Sequence, residues 1–220
     1  YYLTANKKVA YPFGYGLSYT AFEYSDMHVE KKDSKFTVSC NMKNVGKYDG
    51  AEVVQLYVKA PKSDVIKPLK ELRAFTKVYL SVGESKHVEM VIDEDNLRYY
   101  NTSAGKWLLE TGQYNIFICS DCTEVKLSQT VSIEGDDSVL TYSQEVVTAY
   151  NKDIADISDD IFEEVLKDKI PLLPPIRPFT IESRFSDLSD SLTGKILFKS
   201  VMSVANKQRR QAEKLPEGLE

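Results

Sequence analysis

The stretch Gly50-Ala-Glu-Val-Val-Gln-Leu-Tyr-Val58 decides the fold class of this chain. Its alternating side chains form two sets that are both mainly apolar, Val53, Gln55 and Tyr57 on one side and Val54, Leu56 and Val58 on the other. Side chains alternate between the two faces of a strand, so a run with two apolar faces is typical of a central strand covered on both sides. The preceding Asp49-Gly50 is a turn signal. These residues therefore predict a central strand of a β-sandwich.

Shorter strands surround this central strand at hairpin spacing. Phe36, Val38, Cys40 and Met42 alternate with polar neighbours, which indicates a half-buried strand. Further strands are predicted at 72–80, 86–92, 106–109, 114–118 and 124–133, without a convincing helix among them. Seven or eight short strands of this kind predict a mainly β fold, an antiparallel β-sandwich of the fibronectin type III or immunoglobulin kind over residues 21–135.

Residues 136–220 differ in composition and are predicted to form a helical C-terminal tail. Ser158 is a candidate N-cap of a short amphipathic helix, whose apolar positions are Ile154, Ile157, Ile161 and Val165. The Pro-rich stretch 171–178 is predicted to be extended. A longer helix is expected from Asp187 to Lys214, with an apolar stripe of Leu188, Leu192, Ile196, Val201 and Val204. Since this tail cannot form a core alone, it is expected to pack on another surface, and self-association through the tail is one such arrangement.

The charge of the chain excludes one class of partner. The net charge of −5 argues against nucleic acid, because neutralising phosphates requires a surplus of Lys and Arg. The imbalance is concentrated in residues 136–168, which hold 2 basic and 10 acidic residues. No segment approaches the roughly 18–20 apolar residues of a membrane span, so no membrane partner is expected. A basic helix at 187–214 could attract anionic lipid, but the acidic neighbouring stretch would offset that attraction.

The three cysteines do not predict a disulfide framework or a metal site. Cys119-Ser-Asp-Cys122 has C-x-x-C spacing, but a zinc site needs four ligands, and only Cys40, His28 and His87 remain to complete it. A redox motif would require a following helix, and the residues after Cys122 indicate a strand. Two reduced thiols near a strand end are the favoured interpretation. Free thiols in turn favour a cytoplasmic location, and no metal or cofactor is predicted.

Three segments resemble the C-terminal part of glycoside hydrolase family 3 enzymes, which include many β-glucosidases and β-xylosidases. The first is Tyr11-Pro-Phe-Gly-Tyr-Gly-Leu-Ser-Tyr-Thr20. The second runs from Asn44-Val-Gly46 through the stretch 50–58. The third combines Lys70-Glu-Leu-Arg-Ala-Phe75, Val82-Gly-Glu84 and Gly112-Gln-Tyr114. The resemblance covers roughly residues 1–135 and implies a fibronectin type III-like domain behind a catalytic region.

The resemblance also implies which residues this chain lacks. Family 3 enzymes are retaining glycosidases with two carboxyl groups about 5 Å apart, an Asp nucleophile in a Ser-Asp-Trp context and a Glu acid/base on a following domain. The sole tryptophan, Trp107, follows no Ser-Asp pair. The carboxylate clusters 93–95 and 159–164 fit a turn and a solvated helix face, and neither His lies at triad spacing. No catalytic residue is therefore assigned.

The expected function is that of a non-catalytic accessory region within a larger β-glycosidase. Residues 1–20 are predicted to be an interdomain lead-in that contacts the catalytic domains of the same polypeptide through Tyr11, Pro12, Phe13, Tyr15 and Tyr19, because large aromatic rings suit a domain joint. The alternative is a carbohydrate-binding or protein-interaction module. For that role Tyr99, Tyr100 and Trp107 are the candidates to bind an oligosaccharide, although a position of Trp107 in the core between the sheets is favoured.

Overall fold

Nine strands and three α-helices lie in the part of the chain that the computed structural model describes, which is residues 2–61, 65–136, 142–151, 157–171, 179–180 and 183–212. The strands are β1 (Phe22–Lys32), β2 (Lys35–Asn44), β3 (Gly50–Lys59), β4 (Glu71–Leu80), β5 (Ser85–Asp93), β6 (Tyr99–Asn101), β7 (Lys106–Leu108), β8 (Gly112–Cys119) and β9 (Val125–Ile133). The helices are α1 (Gln144–Tyr150), α2 (Asp159–Leu166) and α3 (Leu192–Ala212).

Seven of the strands form two antiparallel sheets. The three-stranded sheet has the order β1-β2-β5, and the four-stranded sheet has the order β4-β3-β8-β9. Strands β6 and β7 pair only with each other among the described strands. Because β3 lies between β4 and β8, its prediction as a central strand is confirmed. The arrangement confirms the predicted antiparallel β-sandwich.

The core lies between the two sheets and follows the alternation of the sequence. In β2, Phe36 is 1% exposed, and Val38, Cys40 and Met42 are completely buried. The inward residues of β3 and β8 are buried against them, with Leu56 and Ile118 at 0%. Burying a side chain of this size contributes about 1.5–3 kcal/mol, so this apolar stripe is a large favourable contribution to folding of the sandwich.

The second apolar face of β3 points away from this core. Gln55 and Tyr57 are each only 3% exposed although they lie on the outer face of the four-stranded sheet. Tyr57 packs there with Cys119, Cys122 and Leu3. The chain N-terminal to β1 therefore covers this face, which explains why β3 is apolar on both sides.

The observed helices agree in part with those predicted from the sequence. Ser158 accepts a hydrogen bond from the backbone N–H of Ile161, which confirms it as the N-cap of a short helix. Helix α3 begins at Leu192, five residues after the predicted start, because Ser191 Oγ accepts the N–H of Gly194 and a 3-10 helix occupies 185–190. Helix α1 was not predicted. The expected extended stretch lies outside the described residues, apart from Pro171.

The chain divides into two compact units, Tyr1–Lys169 and Ile170–Glu220. The first contains the sandwich with α1 and α2, and the second contains α3. Among the described residues, no helix combines the length and the apolar character that crossing a membrane requires.

Candidate functional site

The lead-in segment, residues 2–20, is fastened across the outer face of the four-stranded sheet by its backbone. The carbonyl of Phe13 accepts the backbone N–H of Cys122 at 2.9 Å. The carbonyl of Gly14 accepts a hydrogen bond from Gln55 Nε2 at 3.1 Å, and the same amide nitrogen donates to Ser120 O at 2.6 Å. The buried Gln55 thus joins the lead-in to the end of β8.

Glycine is required at the point where this fastening is tightest. Gly14 has φ of +82°, and a Cβ there would lie 2.3 Å from Gln55 Oε1. A side chain would meet both an unfavourable backbone region and a clash with the buried amide. Gly16 has nothing within 4 Å of its Cβ position, so the requirement is confined to Gly14 in this turn.

A second fastening lies at the end of the lead-in segment, on Asn44. This residue is completely buried and accepts the hydroxyl hydrogen of Thr20 at 2.6 Å. Its Nδ2 donates to Tyr48 O and to Leu80 O, and its Oδ1 also accepts the N–H of Gly46. Asn44 ends β2 and Leu80 ends β4, so one amide connects both sheets with the lead-in segment.

The aromatic side chains of the lead-in segment face solvent. We call this surface the aromatic face. It consists of four rings and one leucine, namely Tyr11, Phe13, Tyr15, Leu17 and Tyr19, whose exposures are 74, 69, 45, 88 and 96%. Tyr11 and Tyr15 contact each other with ring centroids 5.4 Å apart. Phe75, the β4 neighbour of Gln55, adds another ring that is 68% exposed. A group of exposed apolar side chains of this kind marks an interaction site.

Two free thiols lie beneath the lead-in segment. Cys119 and Cys122 are free and buried, which confirms the expected reduced thiols at a strand end. Burial raises the pKa of Cys119 to about 11, while Lys70, with Nζ 3.8 Å from Sγ, opposes this rise. Lys70 also lies 5.1 Å from the Tyr57 ring centroid. A buried thiol with a raised pKa is a poor nucleophile, so Cys119 packs rather than reacts.

The aromatic hairpin, strands β6 and β7, brings two of the three sugar-binding candidates together. Tyr100 and Trp107 are cross-strand partners with ring centroids 5.7 Å apart and ring planes at 71°. The expectation that Trp107 lies in the core is wrong, because 62% of its surface is exposed. Tyr99 points to the other side of the hairpin, where Lys67 Nζ lies 4.6 Å from its ring centroid.

The acidic and His candidates for chemistry have structural roles. Asp93 caps a 3-10 helix at 94–97, and Asp95 pairs with Arg98 at 2.9 Å. His87 is exposed, with Nδ1 2.9 Å from Asn41 Oδ1. In the described part of the chain, no three His, Cys, Asp or Glu side chains are grouped to hold a metal ion.

Comparison with known proteins agrees with this geometry. Residues 52–122 match the family model of the fibronectin type III-like domain. The thermostable β-glucosidase B of Acetivibrio thermocellus is 46% identical over 137 residues, which are 60% of this chain and 18% of that enzyme. The structure of β-glucosidase 3B from Thermotoga neapolitana matches 61% of this chain and 19% of that one, at 40% identity and a TM-score of 0.58. Residues 52–122 thus form a fibronectin type III-like domain, and the proteins that this part of the chain resembles are β-glucosidases.

One match extends beyond this fibronectin type III-like domain into the tail. The GH3 β-glucosidase of Bifidobacterium adolescentis covers 89% of this chain at 26% identity and a TM-score of 0.60, and the match takes up 24% of that structure. The chain thus spans about a fifth of the length of the relatives it matches.

Proposed function

We propose that this chain is the non-catalytic accessory region of a family 3 β-glycosidase that hydrolyses terminal β-linked glucose or related sugars. In this role the aromatic face packs against the catalytic domains of the same polypeptide. The observation that carries the proposal is that the lead-in segment is fixed by its backbone while its rings stay exposed. A domain joint needs this combination of a rigid support and free apolar surface.

The area of the aromatic face suits such a joint. A large aromatic side chain buries about 150–250 Å². Scaled by their exposures, the four rings Tyr11, Phe13, Tyr15 and Tyr19 would add roughly 400–700 Å². Interfaces between domains of one chain bury about 600–1,500 Å² in total, counted over both sides. The four rings alone would therefore supply most of one side of the joint.

The assignment of the parent activity rests on similarity and on the residues that this chain lacks. The compared proteins are β-glucosidases, and this chain matches about a fifth of their length. A retaining glycosidase needs two carboxyl groups about 5 Å apart, whereas in the described cluster at 93–95 Asp93 caps a 3-10 helix and Asp95 pairs with Arg98. We therefore expect the isolated chain to be inactive. Its free thiols support the cytoplasm as its location.

The first test is the coding sequence upstream of Tyr1. An in-frame barrel with a Ser-Asp-Trp motif and an α/β domain supports the proposal, whereas a start codon immediately before Tyr1 contradicts it. The 220-residue chain should also fail to hydrolyse 4-nitrophenyl β-D-glucoside, and turnover by the chain alone would contradict its non-catalytic role.

The second test addresses the joint itself in the full-length protein. Phe13→Ala combined with Tyr15→Ala should lower both the Tm and the hydrolysis of 4-nitrophenyl β-D-glucoside. Tyr48→Ala removes a ring that is 64% exposed elsewhere on the sandwich, and it serves as the control. The same double substitution in the 220-residue chain should leave the far-UV circular dichroism unchanged. Equal Tm and activity of the double variant and the control would refute the joint.

A further inference from the structure

A pocket opens between the lead-in segment and the outer face of the four-stranded sheet. Its volume is about 430 Å³, within the range of about 300–1,000 Å³ typical of binding sites. Much of its wall is apolar, and the residues relevant here are Leu3, Phe13, Tyr57, Leu72 and Cys122. The pocket is therefore large enough to admit a side chain of a partner.

Lys70 brings a positive charge to this pocket. It directly precedes β4, lines the pocket and is partly buried. Its Nζ lies 5.1 Å from the ring centroid of Tyr57 and 5.2 Å from that of Phe117. An ammonium group over aromatic rings is attracted by their negatively charged faces. The two rings therefore hold the charge beside the pocket.

The charge of Lys70 has no counter-charge in the described part of the chain. Lys70 takes part in none of the ion pairs found there. Oε2 of the adjacent Glu71 lies 2.7 Å from Arg73 Nη2, and Asp121 accepts backbone N–H groups of its own turn. A partly buried charge is costly unless it is paired, so Lys70 would gain from a partner of opposite sign.

The lining of the pocket favours a negatively charged ligand. Among the described residues that line it, the other charged one is Lys7, which is also a cation. Apolar walls lower the local dielectric constant, which strengthens the attraction between opposite charges. A carboxylate with apolar neighbours would therefore match both the charge and the walls.

The pocket is continuous with the aromatic face. Tyr11 and Phe13 belong to the aromatic face and also line the pocket. A protein surface that covers the aromatic face therefore also reaches over the pocket. The side chains that give a protein surface negative charge are those of Asp and Glu. This continuity favours the catalytic domains as the source of the carboxylate.

We propose that an Asp or Glu side chain of the catalytic domains enters this pocket and pairs with Lys70 in the full-length protein. The inference rests on the proposed domain joint and adds a polar contact to it. Apolar contacts are non-directional, whereas a charge pair fixes the register of an interface. The pair thus sets the orientation in which the aromatic face meets the catalytic domains.

Lys70→Met tests the pair, because it removes the charge and keeps an unbranched side chain. In the full-length protein it leaves the partner carboxylate buried without a cation, so the Tm should fall by about 3 °C or more. In the 220-residue chain the same substitution removes an unpaired charge, so the Tm should rise or stay within about 2 °C. Lys32→Met, on an exposed position of the other sheet, is the control and should change neither Tm by more than about 2 °C. An unchanged Tm of the full-length variant, or equal falls in both proteins, would overturn the proposal.

A water-soluble carbodiimide identifies the partner, because it joins a paired lysine and carboxylate as an amide. Mass spectrometry of the treated full-length protein should find Lys70 linked to an Asp or Glu of the catalytic domains. The absence of this link, or a link from Lys70 to a second copy, contradicts the proposal. Failure of the joint is a different result. If Phe13→Ala with Tyr15→Ala lowers the full-length Tm and Lys70→Met does not, the joint stands and only its acidic partner is rejected.

Discussion

Asn44 is the residue whose substitution tests the architecture most directly. Its buried amide fills all of its usual hydrogen-bonding positions, two as donor and two as acceptor. Replacement by Ala leaves the carbonyl of Leu80 and the N–H of Gly46 without their partner. It also releases the hydroxyl of Thr20, so the lead-in segment loses its C-terminal fastening.

The expected cost follows from these four hydrogen bonds. Each contributes about 0.5–1.5 kcal/mol net, and a buried group left unpaired costs about 1–3 kcal/mol. We therefore expect Asn44→Ala to lower the free energy of unfolding by about 4 kcal/mol. For a domain of this size, that corresponds to a fall in Tm of about 8–16 °C.

Urea unfolding followed by far-UV circular dichroism measures this change. Asn41→Ala is the matched control, since it removes the same side chain from the same strand, where it bonds Asp26 and His87 near the surface. The control should lose about 1 kcal/mol or less. If the two variants differ by less than about 1 kcal/mol, the interpretation of Asn44 as the junction of both sheets is refuted.

Three further predictions concern the lead-in segment and the turn below it. Gly14→Ala should destabilise the chain by about 1–3 kcal/mol. The control Gly16→Ala should leave the Tm within about 2 °C of that of the unaltered chain. Equal Tm shifts of the two variants in thermal unfolding would contradict the clash with Gln55. Because Cys119 is buried with a pKa of about 11, iodoacetamide at pH 8 should modify it about a hundredfold more slowly than a free thiol, and mass spectrometry showing equal rates would disprove this. Burial of Asp121 opposes ionisation, but the three hydrogen bonds that its carboxylate accepts outweigh this effect and lower its pKa. The stabilisation that ionised Asp121 gives the fold is complete above the unfolded pKa of about 3.9 and is lost as the pH falls through the lower folded pKa. Asp121→Asn should therefore shrink the difference in unfolding free energy between pH 7 and pH 3. An unchanged difference would exclude a stabilising role of the Asp121 carboxylate.

Strand positions were predictable because burial and local periodicity coincide in the sheets. Phe36, Val38, Cys40 and Met42 alternate in sequence, and each is buried in the structure. The two apolar faces of the stretch 50–58 likewise predicted the central position of β3. In both cases the pattern needs no knowledge of distant residues, since side chains of a strand alternate between its faces.

The fastenings of the lead-in segment could not be predicted in the same way. Gln55 bonds Gly14 and Ser120, which lie 41 and 65 residues away along the chain. No local pattern encodes such a contact. A polar residue inside an otherwise apolar strand was the available signal, because a buried amide in a strand must find partners elsewhere.

The remaining differences between the predicted and the observed structure lie in short elements. Strand β7 has only three residues and pairs outside both sheets, so its alternation could not indicate whether Trp107 faced a core. Helix α1 has seven residues, too few for a helical period to stand out, although Val146 and Val147 are buried. Local patterns identify an element reliably only when it is long enough to repeat.

The backbone fastening of the lead-in segment has a consequence for how such a surface can change. Cys122 and Gln55 bind main-chain carbonyls of Phe13 and Gly14, so the attachment is indifferent to which side chain stands at position 13. Rings can then be exchanged for smaller or more polar groups without loosening the segment. The stability of the sandwich and the binding preference of its surface therefore depend on different residues. Substitutions at the exposed positions can change what the surface binds while the fold stays the same.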